Sequence, residues 1–192
     1  MDDRVRVWKR LQARVLGHYR IFDLAEEDYE RPDGRGTHSF YVLLSRDWVN
    51  VVPITPEGRV VMIRQFRPGT REVTIEVPGG MVDAGEDPMD SARRELEEET
   101  GYRAERLIRT GLVHPNPAIL RNACHMFVAL DARPSGRTHF DDAEFVETFE
   151  ATWDEVDSMV HRGAITHSLV LNTLAFARTA IEQRNRGGSA SA

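Results

Sequence analysis

Three glutamates near the middle of the sequence stand at a spacing that favours metal chemistry. Glu95, Glu98 and Glu99 are three and four residues apart, so a helix would place them on one face. Like charges at this spacing destabilise an isolated helix by roughly 0.2–0.5 kcal/mol per pair. A divalent cation between the carboxylates would turn the repulsion into attraction, and ligand sets made only of oxygen suit Mg²⁺ or Mn²⁺. On charge pattern alone, the commoner alternative is an acidic helix face in water.

The segment that carries these glutamates has clear helix boundaries. Asp87 can cap a helix that begins at Pro88, and Gly101 can end it after Thr100. The sequence therefore predicts a helix from Pro88 to Thr100. An apolar stripe about a quarter-turn from the glutamates would anchor this helix on a core. The stripe consists of Met89, Ala92 and Leu96. Arg94, four residues before Glu98, is placed to pair with it and orient it.

The same segment resembles the signature of the Nudix hydrolases, G-x5-E-x7-R-E-U-x-E-E-x-G-U with U apolar. The match, the Nudix box, runs from Gly80 to Tyr102, and only Tyr102 departs from it, as an aromatic residue where an aliphatic one is usual. So many fixed positions make a chance match improbable, which outweighs the interpretation as a solvated acidic face. The matching positions are Gly80, Glu86, Arg94, Glu95, Leu96, Glu98, Glu99 and Gly101.

The resemblance implies a fold and a metal site. The fold class would be α/β, the Nudix α/β/α sandwich with a mixed sheet, and the similarity extends from about Trp48 to Arg178. Two or more Mg²⁺ ions, or Mn²⁺ in their place, would bind. The implied ligands are Glu95 and Glu99 as the main pair, Glu98 as a supporting or second-metal ligand, Glu86 as a further ligand or a partner of Arg94, and the carbonyl of Gly79.

The residues around the box resemble one branch of the family, the ADP-ribose and nucleotide-sugar pyrophosphatases. Arg67 would grip a phosphate, although an arginine at a strand end is equally well a surface ion-pair partner. Glu76, in the Glu-Val-Pro-Gly-Gly lead-in to the box, would fix backbone or a substrate hydroxyl. Pro117 stands where a proline flags this branch, but a plain proline-rich turn explains it nearly as well.

The branch implies a reaction and a catalytic base. The reaction would be Mg²⁺-dependent hydrolysis of the diphosphate in ADP-ribose or another nucleoside diphosphate sugar, giving a nucleoside monophosphate and a sugar phosphate. In the branch, a glutamate on a loop well after the box activates the attacking water. Glu144 is our first candidate because it precedes the predicted strand Phe145 to Thr152, and Glu147 is the second. A solvated acidic loop without chemistry is the alternative.

The chain divides, on this interpretation, into three parts. Residues 1–47 would form a small N-terminal antiparallel β lobe, residues 48–185 the Nudix hydrolase domain, and residues 186–192 a flexible tail. In the branch, such a lobe helps to build a two-fold dimer and closes the active site, so we expect a homodimer. The alternative is an N-terminal extension packed on its own chain.

Hydrophobic alternation and turn residues predict the remaining elements. In the lobe we expect strands over His18–Leu24 and Ser39–Leu44, separated by a polar loop from Glu26 to Gly36. Thr152 and Glu155 have the spacing of a capping box, and a last helix is predicted over Leu169–Ile181. The predicted strands of the main sheet are Trp48–Pro53, Arg59–Arg64, Val73–Pro78, Leu107–Val113, His125–Leu130 and Phe145–Ala151.

Composition excludes several classes of function. With 192 residues, a net charge of -6 and a pI near 5.7, the chain has no basic surface for long nucleic acid. It contains no apolar run long enough for a membrane span and no signal-type start. Its single cysteine, Cys124, permits no internal disulfide and is expected to be a small buried side chain rather than a nucleophile. These features predict a cytoplasmic protein that acts on a small molecule.

Two other functions remain open from the sequence. One is a Nudix hydrolase of nucleoside triphosphates, dinucleoside polyphosphates or coenzyme A, which the context of Arg67, Glu76 and Pro117 disfavours. The other is a catalytically silent Nudix domain that binds a ligand as a regulator. Degenerate versions usually lose glutamates of the box, and none is lost here.

Overall fold

The computed structural model describes residues 6–136 and 145–188. The chain divides into two units: the first holds the residues up to Arg46 together with His114–Asn122, and the second holds Asp47–Val113 and the residues from Ala123 onward. Residues 114–122 thus belong to the first unit although strands of the second flank them in sequence. The division expected from the sequence, with one boundary at residue 47, did not contain this return segment.

The described elements follow one another along the chain as strands with three helices among them. The strands are β1 (Lys9–His18), β2 (Asp23–Glu30), β3 (Thr37–Leu44), β4 (Trp48–Ile54), β5 (Val60–Arg67), β6 (Glu72–Glu76), β7 (Gly79–Met81), β8 (Tyr102–Arg103), β9 (Arg106–Val113), β10 (Leu120–Arg121), β11 (Cys124–Leu130), β12 (Arg133–Pro134) and β13 (Val146–Ala151). The helices are α1 (Pro88–Thr100), α2 (Trp153–His161) and α3 (Ser168–Gly188).

The first unit is a sheet of β1, β2 and β3 with antiparallel pairing, and β10 adds to β3 in parallel. The expected strand over His18–Leu24 is wrong, because this segment contains the turn between β1 and β2, in which the Tyr19 amide donates to the Phe22 carbonyl at 3.0 Å. The expected polar loop from Glu26 is also too long, since β2 continues to Glu30.

Charged partners on β1 explain why the acidic segment of β2 is a strand. Arg14 opposes Glu26 in the register, and their side chains form an ion pair at 2.5 Å. Glu27 is buried and accepts from Arg10 at 3.1 Å, and from Arg121 of the return segment at 2.5 Å. Opposite charges facing each other stabilise an antiparallel pair. A run that looks like a polar loop in isolation therefore pairs once β1 is present.

The second unit is built on a mixed sheet. Its main path runs β13, β5, β4, β11, β9, with β6 beside β5 and β7 beside β4. β11 is parallel to β4 and antiparallel to β9. A parallel pair needs a long crossover connection, and the chain between β4 and β11 contains α1.

Neighbouring residues of β4 bury against helices on opposite faces of this sheet. Val51 packs in a cluster with Ala92 and Leu96 of α1. Val52 packs in another cluster, which contains Val156 of α2 and Leu174 of α3. Successive side chains of a strand point to opposite faces, so α1 covers one face while α2 and α3 cover the other. The α/β fold class, a sandwich with a mixed sheet, is confirmed.

The helices follow their predicted capping signals closely. α1 has the predicted bounds, and the Thr152–Glu155 capping box at the start of α2 is complete. α3 continues to Gly188, so the first residues of the expected loose tail are helical. Within the described residues, no helix is both long and apolar enough to cross a membrane.

Candidate active site

Helix α1 is fixed at both ends and along one side. The Asp87 side chain accepts the Met89 amide at 2.7 Å, and Gly101 ends the helix with a φ of 70°. A left-handed residue at this position is most easily glycine. Ala92 and Leu96 are buried against the sheet, as the apolar stripe predicted. The side of α1 that carries the glutamates, about a quarter-turn from this stripe, is therefore held in one orientation.

The three glutamates on that side range from buried to partly exposed. Glu99 is only 4% exposed, whereas the side chains of Glu95 and Glu98 are 13% and 38% exposed. The Glu99 carboxylate accepts the Gly79 amide at 2.8 Å. Glutamate is almost never fully buried unless it is paired, so this face is built into the protein and differs from a helix face that lies wholly in water.

Arg94 lies among the carboxylates as their internal cation. Its Nη1 donates to Glu95 and to Glu98, each at 2.9 Å, which confirms the predicted pairing with Glu98. Its Nε and Nη2 donate to Glu86 at 3.3 and 3.2 Å, and the hydroxyl of Ser91 also donates to Glu86 at 2.6 Å. The hydrogen bond from Arg94, with that from Ser91, lowers the pKa of Glu86 to about 2. Arg94 thus holds three carboxylates in an ionised cluster.

Two glycines bring the backbone of β7 close to this cluster. A Cβ on Gly80 would lie 2.4 Å from the nearer carboxylate oxygen of Glu95. A Cβ on Gly79 would lie 2.2 Å from the Val49 carbonyl oxygen and 2.5 Å from Asn50 Oδ1. Gly79 faces backbone that cannot move, so only glycine fits there, whereas a side chain at Gly80 would force the end of the Glu95 side chain to move. The backbone of β7 therefore lies directly against Glu95 and Glu99, with no side chain between them.

The carboxylates do not converge on a single point. In the described part of the chain, no three Asp, Glu, His or Cys side chains are grouped as a closed metal site. Their oxygens are instead turned to Arg94 and to the Gly79 amide. Magnesium usually takes only one or two protein carboxylates and completes its shell with water and substrate phosphates. An open arrangement of oxygen donors is therefore compatible with this ion.

Arg67 and Glu76 form a tight pair at the β5–β6 hairpin. Arg67 donates from Nε and Nη2 to the two Glu76 oxygens at 2.8 and 2.7 Å, and Thr74 Oγ1 donates to Glu76 at 2.6 Å. Burial raises the pKa of the Glu76 carboxyl, but the bonds from Arg67 and Thr74 outweigh it and hold the pKa below its ordinary value. Arg67 therefore has the ion-pair geometry that we considered as the alternative to phosphate binding.

The comparisons with known proteins decide the family. The sequence model of the NUDIX domain matches residues 44–173. The chain belongs to the Nudix family. It is 32% identical over 158 residues to an ADP-ribose pyrophosphatase of Bacillus subtilis (strain 168), covering 79% of this chain and 85% of that protein. It is 34% identical over 148 residues to the methanol dehydrogenase activator of Bacillus methanolicus, covering 77% of this chain and 80% of that protein.

A solved structure supports the fold of this Nudix chain. The crystal structure of an ADP compounds hydrolase matches with a TM-score of 0.83 at 21% identity, covering 95% of this chain and 98% of that one. Identity at this level shows the fold alone. Together with the sequence relatives, it confirms the predicted resemblance to the Nudix branch that contains ADP-ribose pyrophosphatases. The chain is a Nudix pyrophosphohydrolase.

The other predicted site residues fall in different surroundings. Glu147 lies on β13, is 64% exposed and forms a cross-strand ion pair with Arg64 at 2.9 Å. Glu144 lies outside the described residues. Pro117 belongs to the return segment of the first unit, beside Asn116, whose carbonyl accepts the amides of Ile119 and Leu120. This is the geometry of a local turn.

Two hydrogen bonds near the end of α1, made by Tyr102 of β8 and Thr148 of β13, were missed by sequence reasoning. The Tyr102 hydroxyl donates to Glu150 of β13 at 2.7 Å, and burial and that carboxylate raise its pKa to about 12. The Thr148 hydroxyl donates to the Glu99 carbonyl at 3.2 Å. Both bonds tie β13 to the C-terminal part of the Nudix box. The only sequence signal was Tyr102 itself, the one departure from the box.

Cys124, which we expected to be a small buried side chain, and its neighbour His125 are both buried. Cys124 is buried, and burial raises the pKa of its thiol to about 12, so it is not a nucleophile at neutral pH. His125 is bonded to Asp47 and to Arg109, each at 2.8 Å.

Proposed function

We propose that this Nudix enzyme hydrolyses the diphosphate of ADP-ribose or of another nucleoside diphosphate sugar with the help of divalent metal, giving a nucleoside monophosphate and a sugar phosphate. The observation that carries the proposal is the carboxylate face of α1 set against the bare backbone of Gly79 and Gly80. The name of the Bacillus subtilis relative, an ADP-ribose pyrophosphatase, supports the substrate class.

The donor set fits a hard divalent cation. Every side-chain donor on this face is a carboxylate oxygen, which Mg²⁺ and Mn²⁺ prefer. Arg94 bridges Glu95 and Glu98, so the space between them already accepts positive charge. A side chain at Gly80 would displace the Glu95 carboxylate from its present position. Nudix hydrolases in general need divalent cations, and we propose two or more Mg²⁺ ions here.

The ligands follow from this arrangement. We propose Glu95 and Glu99 as the main ligands, with Glu98 and the Gly79 carbonyl in support. Glu86 is proposed as the residue that orients Arg94, since both of its oxygens accept from that guanidinium. Bound ions would neutralise the charge that builds on the diphosphate and lower the pKa of the attacking water.

The catalytic base is proposed to be Glu144, with Glu147 as second candidate. Glu147 already pairs with Arg64 across the sheet, which holds its carboxylate against β5. Loss of a general base typically costs about 10²–10⁴-fold in rate. We therefore expect Glu144→Gln to lower kcat by about that factor and Glu147→Gln to leave it nearly unchanged. The opposite pattern would reassign the base to Glu147.

Arg67, Glu76 and Pro117 are retained as proposed substrate contacts. If Arg67 acts on substrate, then Arg67→Lys, which keeps the charge but loses the planar fork, should raise KM. If Arg67 only pairs with Glu76, the same substitution should lower stability and leave KM as it is. Purified variants compared in both assays distinguish the two roles.

A product assay tests the function directly. With Mg²⁺ and ADP-ribose, we expect AMP and ribose 5-phosphate as the only products, and a panel of nucleotide sugars would rank the substrates. Activity only on nucleoside triphosphates, dinucleoside polyphosphates or coenzyme A would replace the proposed substrate class. Glu99→Gln should abolish turnover by weakening metal binding, and unchanged rates at saturating Mg²⁺ would reject the metal site.

We also propose that the protein is a homodimer. Large apolar side chains on the first unit are exposed: Leu11, Val15, Leu16, Tyr19, Ile21 and Tyr41. Exposed apolar side chains concentrated in one small unit, on its strands and in the turn after β1, favour an interaction surface. A monomeric mass in analytical ultracentrifugation at micromolar concentration would reject the proposal. The cytoplasmic location expected from the single cysteine also remains a prediction, which cell fractionation would test.

A further inference from the structure

A large cavity lies beside α1, away from its carboxylates. It has a volume of about 1030 Å³ and is lined in part by Arg93, Leu96 and Glu97 of that helix. At about 100° per residue, Arg93 and Glu97 point roughly 160° away from Glu95. A nucleotide-sized ligand would fit, since small-molecule pockets usually measure roughly 300–1,000 Å³. This cavity is therefore separate from the proposed catalytic site.

The walls of the cavity are rich in arginine. Arg93, Arg103, Arg106 and Arg133 line it, although the whole chain carries a net charge of -6. Arg103 of β8 and Arg133 of β12 are direct partners in an antiparallel pair. Like charges directly opposite each other destabilise such a pair. Glu97 offsets part of this energetic cost, and an anionic ligand would lower the rest.

The protein itself neutralises only part of this charge. Glu97 forms an ion pair with Arg103 at 2.5 Å and accepts from the Ser135 hydroxyl at 3.2 Å. The side chains of Arg106 and Arg133 make no hydrogen bond or ion pair with any residue in the ranges 6–136 and 145–188. Places where a sequence breaks a local rule without visible compensation tend to be functional.

Carboxylates in the same walls narrow the class of ligand. Glu105 and Asp131 also line the cavity. They would repel a bare anion but would accept hydrogen bonds from hydroxyl groups. Guanidinium groups bind phosphate through paired donors. We propose that this cavity binds a phosphomonoester of a sugar or nucleoside, with its phosphate on Arg106 and Arg133 and its hydroxyls on the acidic side chains.

Binding without metal is the test, because chelation of metal silences the proposed catalytic site. We would titrate wild-type protein in EDTA with ribose 5-phosphate, AMP, inorganic phosphate and uncharged ribose, using isothermal calorimetry. We expect saturable binding of the two phosphomonoesters, one per chain, and none of ribose. Replacing Arg106 and Arg133 with Gln should weaken this binding by at least about tenfold, the loss expected for one charged hydrogen bond.

A matched double variant controls for the loss of two charges. Arg71 and Arg162 lie outside the cavity lining, so Arg71→Gln with Arg162→Gln should bind as the wild type does. NMR signals of the Arg106 and Arg133 side-chain Nε–H groups in the wild type should shift on titration, which keeps the test independent of how the variants fold.

Three outcomes would overturn the assignment: no saturation at millimolar ligand, equal weakening in both double variants, or inorganic phosphate binding as tightly as ribose 5-phosphate. The Glu99→Gln protein should bind like the wild type, so a failure of the proposed catalytic function would leave this result unchanged.

Discussion

Replacing Gly80 with alanine should reduce catalysis in this enzyme while leaving its fold intact. The new Cβ would lie 2.4 Å from the nearer Glu95 oxygen and 2.5 Å from its Cδ. Since carbon and oxygen in close contact lie about 3.3 Å apart, the carboxylate must retreat by roughly 1 Å. The obstructed atoms are the end of a flexible side chain, so we expect Glu95 to rotate away. The change in the free energy of unfolding should stay within about 0.5 kcal/mol, as for ordinary surface substitutions.

The same displacement is large for a metal ligand. Metal sites hold their ligands within about 0.2 Å of ideal distance, and a misplacement of about 1 Å can cost roughly a hundredfold in rate. We therefore expect kcat/KM of Gly80→Ala to fall about a hundredfold. The assay is a Mg²⁺ titration of ADP-ribose hydrolysis, in parallel with urea unfolding in the absence of metal.

The neighbouring glycine supplies the control. A Cβ on Gly79 would lie 2.2 Å from the Val49 carbonyl oxygen and 3.1 Å from the Asn50 Cα, and neither backbone atom can rotate away. Gly79→Ala should therefore lower stability by about 1–3 kcal/mol, as overpacking does. Wild-type kcat/KM and Mg²⁺ dependence in Gly80→Ala would refute the reasoning, because Glu95 would then not be a ligand held against that glycine.

Three further predictions concern single side chains. The folded state lowers the pKa of Glu76 below 4.5. The ionised carboxylate therefore stabilises the fold above about pH 4.5, and this stabilisation is lost as the pH falls through the lower folded pKa. The free energies of unfolding of wild type and Glu76→Gln should converge over that acidic range. Cys124, whose thiol pKa is raised to about 12, should react with a thiol reagent at pH 8 only after unfolding, and rapid labelling of folded protein would contradict its burial. Tyr102→Phe removes the bond to Glu150 and should cost about 1 kcal/mol in urea unfolding, with KM for Mg²⁺ unchanged.

Local sequence signals predicted the bounds of α1, the helix of the Nudix box. They did not predict the strands of the N-terminal lobe, which pair with residues distant in sequence. Asp87 and Gly101 act within one turn of the helix ends that they cap, so the bounds of α1 were readable from the sequence. β1 was missed because we expected the first strand to begin at His18, although Leu11, Ala13 and Val15 alternate with polar residues within Lys9–His18. Its partner β2 is acidic, and the two strands are joined by backbone pairing and by ion pairs such as Arg14–Glu26, twelve residues apart. No local pattern contains that information.

The candidate site likewise contains some contacts that sequence spacing predicts and others that it does not. Arg94 and Glu98 are four residues apart on one helix, and their bond followed from spacing alone. The contact of Glu99 with the Gly79 amide joins residues twenty apart, so only the family resemblance pointed to it. Arg67 could be assigned to a phosphate or to an ion pair until the structure placed it on Glu76.

The charge balance of the box explains why a single face serves both folding and chemistry. The signature of the box has four glutamates and one arginine at fixed positions. Arg94 donates to three of these glutamates, Glu86, Glu95 and Glu98. The fourth, Glu99, accepts a hydrogen bond from the neutral Gly79 amide instead. One guanidinium cannot neutralise four carboxylates, so the cluster retains a net negative charge in the metal-free fold. Arg94 keeps the carboxylates in place. On the proposed function, divalent ions would neutralise the remaining negative charge.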